Sequence, residues 1–109
     1  MAGGLIRGEI RVYRFAAPDR ERPVLVLTRN SSIDLFNKVT IAPITSTVRD
    51  VPSEVVLGPD DGLKQVCAID LHNLVTVPKN GLGRRLAQLD EKRMRLVCQA
   101  LSYAPGCLS

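Results

Sequence analysis

The chain carries few of the side chains that most hydrolases use. His72 is its only histidine, so a single chain cannot assemble a pair of imidazoles for acid–base catalysis. The motifs HExxH, GxSxG and GxxxxGKS/T are absent, which excludes a zincin site, a serine-hydrolase elbow and a phosphate-binding loop. The acidic residues are scattered and form no tight cluster, although folding could bring three together for Mg²⁺. The remaining tools are arginine, hydroxyl groups and backbone donors.

Those tools suit the cleavage of RNA. RNA carries its own nucleophile, the 2′-hydroxyl beside the scissile phosphate. An enzyme therefore needs to align the attack, stabilise the charged phosphorane and supply a proton to the departing 5′-oxygen. A guanidinium offers fixed planar donors to phosphate oxygens, and a Thr or Ser hydroxyl adds a further hydrogen bond. The composition permits a ribonuclease that uses no metal and no cofactor, but it does not by itself show activity.

The charge balance is compatible with a nucleic-acid ligand. The net charge is +4 with a pI near 9.3, and eleven arginines carry most of it. Basic side chains neutralise phosphates and release counterions, while a solvated basic surface would explain the charge equally well. The chain has no Trp, two Tyr and two Phe, which disfavours a broad platform for stacking bases.

Length and composition predict one domain over residues 1–109. The chain is 45% hydrophobic and 24% charged, as in ordinary globular proteins. Its apolar runs are far shorter than the roughly 20 residues that cross a bilayer, so no membrane association is expected.

The first residues, MAGGLIRGEIR, do not resemble a signal peptide, and the expected compartment is the cytoplasm. Without an export signal or a CxxC pair, the cysteines are expected to be buried or incidental thiols.

Hydrophobic spacing predicts several short strands followed by one helix. Residues 9–15 alternate apolar and polar side chains, whereas residues 22–28 form a nearly continuous apolar run typical of a buried central strand. GPDDG and KNG predict turns. Asp90 is expected to cap a C-terminal helix. The apolar face of that helix is expected to contain Met94, Val97, Cys98 and Leu101. The predicted class is β-rich α+β, a mostly antiparallel barrel with a C-terminal amphipathic helix.

The order of these segments resembles the MazF/PemK family of type II toxins. The segments are RGEIRVYRF (7–15), RPVLVLTRN (22–30), VTIAPITST (39–47) and VCAIDLHNLVTVPK (66–79), followed by the helix after residue 89. Each is weak alone, but four in the family's order cover nearly the whole chain. The resemblance implies an SH3-like, CcdB/PemK-like antiparallel β-barrel and a homodimer. It also implies sequence-specific endoribonuclease activity of the mRNA-interferase type on single-stranded RNA.

The resemblance also implies two catalytic residues. The family's Arg before Pro at the start of the second strand matches Arg22, and the Thr of its third-strand "IT" step matches Thr45. Arg22 would act at the phosphate and protonate the leaving oxygen, and Thr45 would hydrogen-bond the phosphoryl oxygens. The products would carry a 2′,3′-cyclic phosphate and a 5′-hydroxyl. Without the resemblance, Arg22 is a strand-edge arginine with a solvated head, and Thr45 is an ordinary strand residue.

Further residues around this pair are candidates for binding RNA. Ser46 and Thr47 could take over the role of the hydroxyl. Arg20 would share the strand face of Arg22 if the strand extends back, although a loop charge fits equally well. Gln65, like Lys64 beside it, follows the GPDDG turn. The candidate RNA-binding residues are Arg20, Ser46, Thr47, Gln65 and Asn73, of which the last fits the family pattern and would bond a base edge or a turn.

Two departures from the family pattern accompany these matches. The segment AAPDRER between the first two strands is shorter than the Gly-rich acidic loop of many relatives. His72 stands where relatives often have an acidic residue, and it is expected to be exposed or already hydrogen-bonded.

The resemblance implies a cognate antitoxin whose acidic, partly disordered segment folds onto the basic groove. Two alternatives stay open from the sequence. One is a CcdB-like poison of DNA gyrase, which cuts nothing. The other is a catalytically degenerate module that binds RNA or protein, because a shared fold does not establish activity.

Overall fold

The computed structural model describes residues 4–15 and 21–103, so the candidate Arg20 lies outside the described residues. Within them, short strands are followed by a C-terminal helix, as predicted, and a further short helix lies between the second and third strands. Their bounds are β1 Glu9–Arg14, β2 Glu21–Val26, α1 Asn30–Ile33, β3 Lys38–Thr45, β4 Glu54–Leu57, β5 Cys67–Asp70, β6 Val75–Pro78, β7 Leu82–Gln88 and α2 Glu91–Leu101. Short 3₁₀ turns occupy Pro59–Asp61 and Lys79–Gly81, where GPDDG and KNG predict turns. Neither described helix is long and apolar enough to span a bilayer.

The strands form an open antiparallel sheet. Its order is β4-β5-β3-β2-β1-β7, and β6 also pairs with β3. The long strand β3 divides its second edge between two partners: residues Lys38 to Ile41 pair with β6, and Ile44 and Thr45 pair with β5. Among the described residues β4 and β7 do not pair with each other, and α2 packs against β4 instead. The predicted β-rich class is confirmed, whereas the sheet is not a closed barrel.

Successive side chains of the central strands point to opposite faces of the sheet, so the buried residues form two clusters. Leu25 of β2 and Ile44 of β3 belong to the cluster that includes α2. Val24, Val26 and Ile41 belong to the second cluster. Because all three apolar residues of β2 are fully buried, the prediction of a buried central strand is confirmed. Strand β2 is thus packed on both faces. Its exposed first residues, Glu21 and Arg22, are directly connected to this buried segment.

Helix α2 begins as predicted, and Met94, Val97 and Leu101 of its predicted apolar face pack on the core. A side-chain oxygen of Asp90 accepts a hydrogen bond from the backbone N–H of Arg93 at 2.8 Å, which confirms the predicted cap. Val97 and Ala100 are buried, whereas Cys98 is exposed, so its predicted place on the apolar face is wrong. Ala100 takes the buried position, because a methyl side chain lets the helix approach its neighbours closely.

Candidate active site

An open cleft of about 650 Å³ lies where β2, β3 and β7 meet the loop before β5. Its apolar lining includes Leu63, Cys67 and Leu86. The polar side chains lining it are Glu21, Arg22, Thr45, Ser46, Thr47, Lys64, Gln65 and Arg84. The cleft therefore combines basic groups and hydroxyl groups, which are the groups that bind a phosphate in proteins.

The strand register brings Arg22 and Thr45 together. Strands β2 and β3 pair with Val24 opposite Pro43 and Val26 opposite Ile41. The paired residues end at Val24 and Pro43, and Arg22 and Thr45 each lie two residues beyond this last pair. Both residues line the cleft, so the two residues that the sequence predicts as catalytic lie in the same site.

The hydroxyl of Thr45 is held by a local hydrogen bond. Its Oγ1 accepts from the backbone N–H of Thr47 at 3.1 Å. This bond occupies a lone pair of the oxygen and leaves the hydroxyl proton available to donate. Ser46 and Thr47 are exposed beside it and line the same cleft.

Arg22 stands exposed at the start of β2. Its neighbour Glu21 forms an ion pair with Arg14, with Arg14 Nη2 and Glu21 Oε2 3.2 Å apart. Within residues 4–15 and 21–103 the guanidinium of Arg22 has no hydrogen-bond or ion-pair partner. No described residue therefore competes with an anionic ligand for its five N–H donors.

The opposite wall of the cleft is a loop fastened at two points. Asp61 Oδ2 accepts from the backbone N–H of Gly58 at 3.1 Å, and Asp61 Oδ1 accepts from Arg93 Nε at 2.9 Å. Gly62 has φ of 90°, and a Cβ there would lie 3.2 Å from Cβ of Ala87 on β7. The loop therefore needs glycine both for its backbone conformation and for its close approach to the sheet. The residues just after this glycine form the wall.

Cys67 lies at the base of the cleft and is almost fully buried. Burial raises the pKa of its thiol, and the negative charge of Asp61 raises the pKa further. The thiolate is the nucleophilic form of cysteine, so Cys67 is held in its unreactive neutral form near pH 7. This agrees with the expectation of a buried thiol, whereas Cys98 is exposed and Cys107 lies outside the described residues.

Gln65 also lines the cleft, together with its neighbour Lys64. The structure thus gathers Arg22, Thr45, Ser46, Thr47 and Gln65 of the candidates into one site. Asn73 does not belong to this group. It follows the end of β5 that lies away from Cys67, and its Nδ2 donates to Asp70 Oδ2 at 2.7 Å. Asn73 does not line the cleft, and its contact with RNA stays a prediction.

His72 is engaged in a polar cluster, as expected from the sequence. A ring nitrogen lies 2.7 Å from the buried hydroxyl of Ser53, and the backbone N–H of His72 donates to Asp70 Oδ1 at 3.0 Å. The cluster fastens β4 to the end of β5. Across the described parts of the chain, no three His, Cys, Asp or Glu side chains are grouped so that they could hold a metal ion.

The sequence interpretation missed Arg84. A period of two within one strand cannot show where the strand carries an extra residue. In the structure Arg84 is exposed and lines the cleft beside Leu86. The glycine that precedes the two arginines is the signal that could have indicated an irregular strand.

The antiparallel sheet, the C-terminal helix and the cleft of arginines and hydroxyls define a small β-rich protein with a basic cleft. Residues 6–104 match the family described as PemK-like, MazF-like toxin of type II toxin-antitoxin system. The probable endoribonuclease MazF5 of Mycobacterium tuberculosis is 38% identical over 102 residues, covering 93% of each chain. The chain therefore belongs to the PemK-like, MazF-like toxin family.

Solved structures agree with this assignment. The Mycobacterium tuberculosis toxin MazF-mt6 aligns with a TM-score of 0.80 and 32% identity, covering 87% of this chain and 93% of that one. An endoribonuclease in complex with its cognate antitoxin, from a mycobacterial species, aligns with a TM-score of 0.83 and 25% identity, covering 94% and 95%. The class predicted from the sequence, an endoribonuclease toxin of a toxin–antitoxin system, is confirmed.

Proposed function

We propose that this chain cuts single-stranded RNA in the cleft, without a metal ion, by attack of a 2′-hydroxyl on the adjacent phosphate. The observation that carries the proposal is that Arg22 and Thr45 line the same cleft. One offers a guanidinium that no described residue occupies, and the other offers a hydroxyl whose proton is free to donate. The substrate supplies the nucleophile, so the protein needs to supply only alignment, charge stabilisation and proton transfer.

In this mechanism the 2′-oxygen forms a bond to phosphorus while the bond from phosphorus to the 5′-oxygen breaks. The planar donors of Arg22 and the hydroxyl of Thr45 stabilise the negative charge that develops on the non-bridging oxygens. The proton of the 2′-hydroxyl passes to water. Arg22 gives a proton to the departing 5′-oxygen, which is a stronger base than neutral guanidine, and regains one from water. The products carry a 2′,3′-cyclic phosphate and a 5′-hydroxyl.

The proposal extends to partners. A cognate antitoxin with an acidic, partly disordered segment would complement a chain of net charge +4 whose cleft contains Arg22, Lys64 and Arg84. The antitoxin named in the structure of the mycobacterial relative supports such a partner. The chain would act in the cytoplasm as one toxin domain and as a homodimer. Size measurement at micromolar concentration tests the dimer, and a monomer there contradicts it.

The gyrase-poison alternative finds less support. A gyrase poison would not need Arg22 and Thr45 for catalysis. The relative MazF5 is named a probable endoribonuclease. A catalytically degenerate binding module would retain the cleft but would not cleave RNA. The two alternatives are separated from the nuclease by testing for RNA fragments and for gyrase-dependent DNA breaks in parallel.

The test uses a long mixed-sequence RNA in EDTA. We expect discrete fragments whose 5′ ends accept a labelled phosphate from a kinase without prior phosphatase treatment. A second substrate carries the cleaved motif with a single 2′-deoxy nucleotide on the 5′ side of the cut bond, and it should resist cleavage. Cutting that requires Mg²⁺, or that proceeds through the 2′-deoxy position, would contradict the mechanism.

A further inference from the structure

Strand β7 carries an irregularity beside the cleft. Arg11 of β1 lies opposite Arg85, and Tyr13 lies opposite Leu82, so three steps along β7 match two steps along β1. The extra residue makes a β-bulge between Leu82 and Arg85. A second shift follows, because Ile10 lies opposite Ala87, so that Leu86 is a further extra residue of β7. Bulges redirect side chains and are frequent next to active sites.

The bulge is held by a defined set of contacts. Arg11 Nη1 donates to the carbonyl oxygen of Gly83 at 2.9 Å, and the Nε and Nη2 atoms of Arg11 both donate to Oε1 of the buried Glu9. A Cβ on Gly83 would lie 3.2 Å from the carbonyl oxygen of Val12, so glycine permits the close approach of the two strands. The backbone that presents Arg84 is therefore fixed.

The two adjacent arginines of the bulge have different surroundings. Arg85 faces Glu9, with 3.6 Å between Nη1 and Oε2, and is 3.4 Å from Gln88 Oε1. Arg84 is exposed, lines the cleft and has no polar partner within residues 4–15 and 21–103. Strands β2 and β7 flank β1 and are about 10 Å apart at ~4.8 Å per strand. Tyr13 of β1 lies opposite both Arg22 and Leu82, so Arg84 lies two residues along β7 from the position level with Arg22. Both arginines line one cleft.

We propose that Arg84 binds the phosphate next to the scissile one when RNA occupies the cleft. This inference rests on the proposed function, since it requires RNA to occupy the cleft. A contact to a phosphate that does not react binds the ground state and the transition state equally. Loss of Arg84 should consequently raise KM and leave kcat almost unchanged, in contrast to loss of Arg22. Because one phosphate contact is removed, the salt dependence of binding should also weaken.

The experiment compares the wild type with Arg84→Ala, Arg84→Lys and the matched control Arg85→Ala, each shown to be folded by its thermal melt. Cleavage of a short RNA gives KM and kcat. Binding of the same RNA, with 2′-O-methyl groups to block cleavage, is measured across salt concentrations. We expect Arg84→Ala to raise KM about tenfold and to reduce the slope of log K against log salt by about 0.7, the value for one single-strand phosphate. Arg84→Lys should keep most of the slope, and Arg85→Ala should keep both values.

Equal slopes for the wild type and Arg84→Ala would overturn the phosphate contact, as would a loss of kcat with unchanged KM. If Arg85→Ala changes the slope as much as Arg84→Ala, the effect is general charge and the assignment of a site is overturned. A wild type that neither cuts nor binds RNA would overturn the proposed function itself. That result differs from the failure of Arg84 alone, in which the wild type still cuts.

Discussion

Arg93 of helix α2 donates from Nε to Oδ1 of Asp61 at 2.9 Å, and this contact joins the C-terminal helix to the loop that forms one wall of the cleft. The Asp61 carboxylate is almost buried and its second oxygen holds the start of the same loop at Gly58. The position of the loop residues Lys64 and Gln65 thus depends on a side chain outside the cleft. Arg93 is a positioning residue in this arrangement.

Arg93→Ala should loosen the loop without unfolding the chain. A hydrogen bond between charged groups contributes about 1.5–3 kcal/mol when buried, but Arg93 is partly exposed, so a loss of about 1 kcal/mol is expected. Urea unfolding measures this loss. Hydrogen exchange should show faster exchange of the backbone amides in residues 62–66, while Arg95→Ala, on an exposed part of the same helix, should leave them unchanged. Unchanged exchange in Arg93→Ala would contradict the positioning role.

Glu54 should stabilise the loop between β3 and β4. Its Oε1 accepts from the backbone N–H groups of Arg49 and Asp50 at 3.0 and 3.1 Å, and Asp50 has φ of 58°. Glu54→Ala removes both acceptors and should cost about 1–3 kcal/mol. Glu54→Gln keeps an acceptor oxygen, and the other oxygen of Glu54 is buried without a partner among the described residues, so this variant should cost less. Urea unfolding of both variants measures the difference, and equal losses would contradict the role of the acceptor.

Substitution of Thr45 separates its hydroxyl from its shape. Thr45→Val keeps the branched side chain and removes the group that accepts from Thr47 and donates to the phosphate. We expect kcat to fall about a hundredfold, the scale for one preorganised donor. Thr45→Ser should retain most of kcat. Equal activity of the Val and Ser variants would show that Ser46 or Thr47 supplies the hydroxyl instead.

Cys67 should react slowly with alkylating reagents in the folded protein. Because the pKa of this buried thiol is raised, the folded chain holds the proton to a higher pH than the unfolded chain, in which a thiol has a pKa of about 8.5. The free energy of unfolding should accordingly fall as the pH rises through that value. Mass spectrometry of iodoacetamide-treated protein, folded and in urea, measures the alkylation rate at each pH. Equal rate profiles in the two states would contradict the shift.

The sequence predicted the elements because their spacing is local. The buried run of β2 and the Asp90 cap depend on neighbouring residues, and both were confirmed. That Arg22 and Thr45 line one cleft was not visible from spacing, since it depends on the register of two strands that α1 separates in the sequence. The family resemblance supplied those two positions, and the register now gives a physical reason for them.

What the sequence could not show depends on packing between distant segments. The extra residue that exposes Arg84 arises from the mismatch of β1 and β7, which a period of two within one strand does not reveal. That Ala100 is buried and Cys98 is exposed depends on how α2 packs against β4. The prediction of a closed barrel was wrong for the same reason. Among the described residues, β4 and β7 do not pair with each other, and α2 packs against β4 instead.

The most direct test of the central claim is the kcat of Arg22→Ala on a mixed-sequence RNA in EDTA, beside the wild type and the exposed control Arg95→Ala. If Arg22 stabilises the reacting phosphate, kcat should fall by about a hundredfold or more while Arg95→Ala cuts like the wild type. The melting temperature of each variant shows that the loss is not unfolding. Equal kcat for folded Arg22→Ala and the wild type would contradict the assignment of the active site.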